Sequence, residues 1–470
     1  MSSLKFGTSG LRGLVIELSD DVCFAYVTAF LKHMRQAHGL ATGAVVLVGY
    51  DLRASSPQMA SACAAAVRNA GMLVENCGPL PTPALALRAQ TIKSPAIMVT
   101  GSHIPADRNG LKFYRADGEI DKSDEAGILA AFDPAGAAMA SAVENVSVNS
   151  EAYDSYFTRC MSILREGSLA GMRIGVYQHS SVARDLMLDL VAWLGAEAVA
   201  LGRSDVFVPV DTEALRPQDV AFARQACAAD RLDALISTDG DADRPLLADE
   251  SGVFFRGDML GVLTVKFLKA SAAVTPVTST SAVELCGLFG TVVRTRVGSP
   301  YVIEGMAKAV AGGAKTVVGF EANGGVLLGS DVEVFGGTLQ ALPTRDAMLP
   351  VLAVLGLAAE AKVAVSKLLA DMPERFTQSG RIEHVGPELT GPFLKGLLDA
   401  QTRKAHFAAA GAIAGFDAID GVRVVLATGD IIHYRASGNA PELRCYTEAA
   451  TLNRAQELLG WGLASAEEAL

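Results

Sequence analysis

Three short runs of this sequence gather side chains able to handle a phosphoryl group. Asp239-Gly240-Asp241-Ala242-Asp243-Arg244 sets three carboxylates at alternating positions in a tight turn directly after the apolar run ALIST (234–238). Oxygen ligands so arranged suit a hard divalent cation, and Mg²⁺ more than Ca²⁺, because Mg²⁺ favours octahedral oxygen coordination shared with a phosphate. An EF-hand calcium loop needs about twelve residues closed by a bidentate Glu, and that Glu is absent. Thr100-Gly101-Ser102-His103-Ile104-Pro105 puts a serine beside a histidine at the end of a second apolar run, AIMVT (96–100). The pattern is not the G-x-S-x-G elbow of serine hydrolases. Taken alone, Ser102 reads as a turn or capping residue; beside a metal-bound phosphate the same hydroxyl becomes a phosphoryl carrier. Downstream, Lys112 in Asn109-Gly110-Leu111-Lys112 is either a surface lysine or a cation for proton transfer. The run Arg435-Ala436-Ser437-Gly438-Asn439-Ala440-Pro441-Glu442-Leu443-Arg444 combines two arginines, a hydroxyl, an amide and a glycine. That is the inventory for cradling a phosphate through backbone N–H groups and guanidinium forks.

These runs need buried strands to hold them. VVLVGY (45–50), AIMVT (96–100), RIGVY (173–177), ALIST (234–238) and TVVGF (316–320) alternate with alanine-rich, helix-like stretches, the α/β signature. Near-continuous apolar runs are what strands buried on both faces require, and such sheets carry their ligands at the carboxyl ends of strands. Three of these strands open into loops of similar design, GSHIPADRNG, DGDADR and EANGG (321–325), which predicts three successive α/β domains with mixed, largely parallel sheets. The last hundred residues read as consecutive strands GVRVVLA, IIHYRAS and ELRCYTEA and a helix from about 452 to 459 with Gly460 as its stop, a C-terminal α+β domain. The expected domains are 1–148, 149–251, 252–368 and 369–470, joined through the Ala/Ser-rich region 134–150, the segment 249–252 and the stretch leading to Asp371.

A chain of 470 residues, half of them apolar and 19% charged, is folded and multi-domain. A net charge of −11 disfavours nucleic acid and anionic membranes as partners, so an anionic substrate needs a locally basic pocket. The seven cysteines are odd in number and never paired as C-x-x-C, which argues against a disulfide framework and a structural zinc site and fits a reducing cytoplasm. The apolar stretch 347–359 is interrupted by Pro350 and flanked by Asp346 and Glu360, so it is not expected to span a membrane.

In order along the chain, FGTSGLRG (6–13), TGSHIP, DGDADR, EANGG and RASGNAPELR resemble the landmark loops of the α-D-phosphohexomutases, and the resemblance covers essentially the whole sequence. It implies four domains around a central cleft. It also implies a phosphorylated catalytic Ser102, with Asp239, Asp241 and Asp243 holding Mg²⁺ together with an oxygen on Ser102. Arg12 and Arg244 would lie close to the phosphoserine, and His103 and Lys112 would serve proton transfer or orientation. Glu321 and Asn323 would grip sugar hydroxyls, while Arg435, Ser437, Gly438, Asn439 and Arg444 would clamp the distal phosphate. Thr295-Arg296-Val297-Gly298 resembles a further substrate loop.

The implied activity is interconversion of mannose 6-phosphate and mannose 1-phosphate through a hexose 1,6-bisphosphate, which also acts as activator. Glucose phosphates, a dual specificity and then glucosamine phosphate are the alternatives, and a non-catalytic sugar-phosphate sensor is the alternative of a different class. Partners are then small hexose phosphates, and the protein is expected to be a monomer or small homo-oligomer. Four departures stand out: Gly101 replaces an alanine, Ile104 an asparagine, and in the sugar loop Asn323 stands in for a serine and Gly325 for the histidine.

Overall fold

The computed structural model describes residues 3–7, 10–133, 147–437 and 441–470. Most of the anticipated linker at 134–150, and Gly438 and Asn439 of the phosphate loop, lie outside the described residues. The chain divides into two compact units, Met1–Ala273 with Gly298–Ala370, and Val274–Val297 with Asp371–Leu470.

The first unit begins with β1 (Lys5–Gly7), β2 (Gly10–Leu14), α1 (Asp20–His38), β3 (Val45–Tyr50), α2 (Ser56–Asn69), β4 (Leu73–Pro79), α3 (Thr82–Ile92), β5 (Ala96–Val99), β6 (Arg108–Arg115), β7 (Gly118–Glu119) and α4 (Lys122–Ala131). Their sheet has the order β1-β2-β6-β5-β3-β4, with β7 on β6. Strands β4, β3 and β5 are parallel, and Val46, Leu47, Val48 and all of β5 are buried, which is why these runs are unbroken by polar residues. Strand β6 returns antiparallel to β5 and sets Lys112 opposite Met98, close to the serine loop at the strand end.

A second sheet, β11-β10-β8-β9, is built from α5 (Glu151–Met161), β8 (Arg173–His179), α6 (Arg184–Trp193), β9 (Glu197–Arg203), α7 (Pro217–Asp230), β10 (Ala234–Thr238) and β11 (Pro245–Asp249). Its parallel core β10-β8-β9 is extended by the antiparallel β11. Because Thr238 pairs with Pro245, residues 239–244 are the entire loop of a hairpin, held at both ends by ladder hydrogen bonds. Residues 249–252 form a tight turn in which the Gly252 N–H donates to Asp249 O.

Next come α8 (Gly257–Leu268), β12 (Ala272–Pro276), α9 (Ala282–Leu285), β13 (Thr291–Thr295), α10 (Ser299–Ala311), β14 (Val317–Phe320), β15 (Val326–Leu328), β16 (Val332–Val334), β17 (Gly337–Leu339), β18 (Leu342–Asp346) and α11 (Met348–Ala361). Here too a hairpin carries the loop of interest: Phe320 pairs with Val326, leaving residues 321–325 between β14 and β15. Strand β18 pairs with β15, Asp346 opposite Val326, which brings its neighbour Arg345 to the same loop. The apolar stretch 347–359 is the buried helix α11, and no helix among the described residues is long and apolar enough to cross a membrane.

The second unit contains β19 (Phe376–Glu383), α12 (Pro387–Gly396), α13 (Ala400–His406), β20 (Ile413–Asp417), β21 (Val422–Leu426), β22 (Ile431–Ala436), β23 (Glu442–Ala449) and α14 (Leu452–Glu467). Its antiparallel sheet, β19-β23-β22-β21-β20, encloses a core of Leu397, Phe407, Val424, Ile432, Tyr434 and Leu458. One expectation fails here: Gly460 does not end the last helix, which continues to Glu467. The apolar face that buries Ala455 and Leu458 recurs at Gly462 and Ala466, and the Tyr434 hydroxyl donates to Gly462 O at 2.7 Å. Burial along that face outweighs the roughly 1 kcal/mol by which an interior glycine weakens a helix. Gly460 itself is exposed, with open space where a Cβ would lie. Gly460→Ala is therefore expected to stabilise the protein by ~0.5–1 kcal/mol, read as a rise in the urea midpoint at unchanged m-value.

Candidate active site

Three of the strand-end and hairpin loops meet in the first unit. Ser102 is fully buried and adopts a left-handed backbone conformation, φ 54°, a geometry an L-residue keeps only when its surroundings impose it. What imposes it is Arg53, in the loop after β3. Its guanidinium donates to the carbonyls of Ser102 (3.0 Å), Ile104 (2.5 Å), Pro105 (2.7 Å) and Arg108 (2.9 Å). Asp51 anchors Arg53 at 3.2 Å and accepts from Thr100 and Ser56 at 2.7 and 2.5 Å, and the Thr100 hydroxyl in turn accepts from the Ser102 N–H at 2.8 Å. Phe207 lies under the guanidinium, 3.9 Å from its ring centre. Gly101 is required by this arrangement, since a Cβ there would sit 2.7–2.9 Å from the Arg53 guanidinium. Ile104 contributes through its carbonyl, so an apolar side chain at that position is compatible with the loop.

The Ser102 hydroxyl donates to Asp239 Oδ2 at 2.5 Å, and His103 Nδ1 is 3.3 Å away. Asp239, Asp241 and Asp243 are 0–1% exposed, and one carboxylate oxygen of each falls within 4.8 Å of the others. Lys112 spans two of them, Nζ lying 2.6 Å from Asp241 and 2.7 Å from Asp243, and the Thr82 hydroxyl donates to Asp241 at 2.6 Å. Arg345 forks onto Asp243 Oδ2 at 2.7 and 3.1 Å and reaches Glu321 at 3.0 Å, tying the carboxylate turn to the third loop. Gly325 makes that possible: a Cβ there would lie 2.6–2.8 Å from the Arg345 side chain. Asn323 sits beside Glu321, its amide 3.4 Å from the carboxylate, while its own Oδ1 accepts from the Gly325 N–H.

Electrostatics divides the three aspartates. Burial, reinforced by Asp241 and Asp243, holds Asp239 well above the usual carboxylate range. Burial pushes Asp243 the same way, but Arg345, Lys112 and Arg244 overcome it and hold that carboxyl well below the range. Burial also opposes charge on Lys112, yet Asp241 and Asp243 outweigh it and its pKa is raised, so the ammonium stays protonated. His103 is depressed by burial and then by Arg244 and Arg12, and is neutral near pH 7. Arg12 is lowered to about 10 by burial and by Arg244 and Arg345, and remains a cation.

The turn suits a divalent cation. Its donors are all oxygen, and Asp241 Oδ1 and Asp243 Oδ1 are buried with no hydrogen-bond partner among the described residues. Buried lone pairs left unsatisfied cost about 1–3 kcal/mol each, which a bound ion would remove.

The predicted phosphate loop belongs to the second unit. Arg435 and Arg444 are directly paired across β22 and β23, and Arg381 on β19 is the next residue in that row. Asp420 holds Arg435 at 2.6 Å and Glu442 holds Arg444 at 2.8 Å. The Ser437 N–H donates to Glu442 O, closing the loop base.

Sequence reading missed Asp51, Arg53, Thr82, Arg345 and Arg381. Arg53 follows VVLVGY at a strand end, the same signal that singled out the other loops. Arg345 carried no local signal, because its role depends on the pairing of β18 with β15.

Parallel sheets flanked by helices, with an acidic turn, a buried serine and a separate basic loop, define a phosphoryl-transfer enzyme of the phosphohexomutase class. Residues 3–138 match the phosphoglucomutase/phosphomannomutase α/β/α domain I and residues 256–376 match domain III. A phosphomannomutase of Sinorhizobium fredii is 47% identical over 98% of each chain, and one of Salmonella muenchen is 44% identical over 95% of this chain and 92% of that one. The chain belongs to the phosphoglucomutase/phosphomannomutase family and is an isomerase that relocates phosphoryl groups. The fold is shared with a family protein of Burkholderia thailandensis, TM-score 0.76 at 21% identity over 98% and 97% of the two chains. It is also shared with an Aspergillus fumigatus N-acetylphosphoglucosamine mutase solved with GlcNAc-6P and magnesium, TM-score 0.57 at 13% identity over 99% and 96%.

Because Gly325→Ala would drive its methyl group into Arg345, it should loosen the link between Asp243 and Glu321 and lower kcat/KM by at least ~10²-fold, the scale of an ångström-sized misplacement. Wild-type kinetics in this variant would show the link to be dispensable.

Proposed function

We propose that this chain interconverts mannose 6-phosphate and mannose 1-phosphate through a phosphoserine at Ser102 and a hexose 1,6-bisphosphate intermediate. The observation that carries the reading is the Ser102 hydroxyl, buried and strained at the mouth of the acidic turn, 2.5 Å from Asp239. The phosphomannomutase names of the two relatives supply the sugar.

In the first half-reaction the bond from Ser102 Oγ to phosphorus breaks as a hexose hydroxyl oxygen bonds to phosphorus, and the hydroxyl proton leaves. In the second, the other phosphate returns to Ser102 and the proton balance closes. Of the two residues that could move the proton, Lys112 is committed to two carboxylates as a cation, whereas His103 is neutral with Nδ1 3.3 Å from Ser102 Oγ. We assign the proton to His103, whose basicity would rise as a bound phosphoryl group offsets Arg244 and Arg12, and the orientation of Asp241 and Asp243 to Lys112. Arg12 and Arg244 neutralise the phosphoryl oxygens. Glu321, oriented by Arg345, and Asn323 accept and donate hydrogen bonds to sugar hydroxyls. Asp239, Asp241 and Asp243, with an oxygen on Ser102, would hold Mg²⁺, which would supply positive charge against the negative charge that builds up in transfer.

The division into domains 1–148, 149–251, 252–368 and 369–470 fits these roles. The first three contribute one loop each to the serine, metal and sugar sites. The fourth carries Arg435, Ser437, Gly438, Asn439 and Arg444 for the phosphate that is not reacting.

Intact-mass analysis is expected to find a single covalent phosphate, mapped to Ser102 and absent from Ser102→Ala, together with loss of mutase turnover; normal turnover in that variant would refute the mechanism. Asp241→Asn should cost at least ~10²-fold in turnover, as for loss of one preorganised charge at a phosphoryl centre. A coupled assay across hexose phosphates should rank mannose 1-phosphate first, glucose 1-phosphate second and glucosamine 1-phosphate last, since an ammonium replaces a hydroxyl the site expects. A preference for glucosamine 1-phosphate would overturn the substrate while leaving the serine chemistry standing.

A further inference from the structure

Helix α1 ends in two histidines five positions apart that face helix α4 of the same unit. His33 Nε2 lies 3.0 Å and His38 Nε2 2.8 Å from one oxygen, Asp124 Oδ1, and the three ligand atoms fall within 4.8 Å of one another. The other oxygen of Asp124 is engaged separately: Arg115 donates to Oδ2 at 2.8 Å and the Asp121 N–H at 3.0 Å. The carboxylate is thereby fixed with Oδ1 aimed at both imidazoles, the way outer hydrogen bonds orient a metal ligand. The His33 ring is seated just as firmly, because it rests on Gly127 of α4, where a Cβ would come within 2.2 Å of Nδ1 and Cε1. A side chain at 127 would fill the place the imidazole occupies.

Charge favours a cation. Arg115 is shared among Asp117, Asp121 and Asp124, so three carboxylates face one guanidinium beside the imidazoles. In tetrahedral zinc sites, bonds of about 2.0–2.2 Å place ligand atoms about 3.3–3.6 Å apart, so the observed 2.8 and 3.0 Å need to open by roughly half an ångström, while the two nitrogens already lie within 4.8 Å of each other. Asp124 is 1% exposed and His33 13%, but His38 is 39% exposed, which leaves an entry path and a fourth position open to water.

We propose that His33, His38 and Asp124 form a second metal site, distinct from the aspartate turn, that binds Zn²⁺ or another imidazole-preferring divalent ion and pins the end of α1 to the first turn of α4. Two nitrogens and one oxygen select against Mg²⁺, which takes oxygen ligands and gives up its waters reluctantly. The two sites therefore sort their ions by ligand chemistry.

The test uses the full-length protein in excess Mg²⁺, which saturates the aspartate turn. Isothermal titration with Zn²⁺ is expected to give one equivalent bound and a Zn²⁺-dependent rise in Tm. His38→Gln keeps a donor for Asp124 on an exposed helix end but is a poor ligand, and it should bind Zn²⁺ at least ~10-fold more weakly, with the Tm shift reduced accordingly. Equal Zn²⁺ affinity in the two proteins, or no binding by the wild type at ~100 µM Zn²⁺, overturns the proposal and leaves a hydrogen-bonded cluster. Should H38Q not fold, Co²⁺ added to the Mg²⁺-loaded wild type decides: intense visible bands of a four-coordinate ion support the site, and the weak spectrum of octahedral Co²⁺ alone refutes it.

Discussion

Three carboxylates in a six-residue turn, all withdrawn from water, impose the constraint around which the first unit is arranged. Transferring even one such group out of water costs several kcal/mol, and the mutual repulsion of three raises that further. The surroundings answer with cations from separate elements: Lys112 from β6, Arg345 from the end of β18 and Arg244 from the turn itself. Lys112 and Arg345 arrive by strand pairing, so the electrostatic balance of the turn and the topology of the sheets are one problem. The balance is also incomplete, since Asp241 and Asp243 each keep an oxygen without a hydrogen bond among the described residues. A fully neutralised turn would have no affinity left for a divalent ion.

A second, subordinate network shapes the nucleophile. Asp51 and Arg53 form a buried ion pair whose job is the main chain of the serine loop, with four carbonyls gathered on one guanidinium. A planar five-donor group can do this and an ammonium cannot. The left-handed backbone at Ser102 is thus maintained from behind, by an ion pair whose hydrogen bonds go to the serine loop, and the hydroxyl is aimed at Asp239.

Much of this was legible in the residues. Apolar runs mark the buried strands; Ser102, Asp239, Asp241 and Asp243 stand out by type and by position at strand ends, Lys112 as a cation downstream of the serine loop and Glu321 through the family resemblance, and the structure brings all six together. The partners that fix them were not legible, for a physical reason. Arg345 and Thr82 act across more than 100 residues of sequence, and no local pattern encodes a contact made by sheet register. Glycine gave the opposite difficulty. At 101 and 325 it replaces the alanine and histidine of the family's loops, and in each case its missing side chain is the space taken by an arginine. At 460 it looked like a stop, yet the apolar face beyond it carried α14 onward.

The arginine row of the second unit has a consequence of its own. Arg381, Arg444 and Arg435 stand side by side across three adjacent antiparallel strands, an arrangement that like-charge repulsion penalises at every rung. Each member is answered by a carboxylate: Asp420 holds Arg435, Glu442 holds Arg444 and Glu383 holds Arg381 at 2.8 Å. A phosphate settling on the row would compete with these carboxylates for the guanidinium groups, so its hold is set by how readily each pair opens. Dissolved salt weakens the exposed pairs and the attraction for phosphate alike.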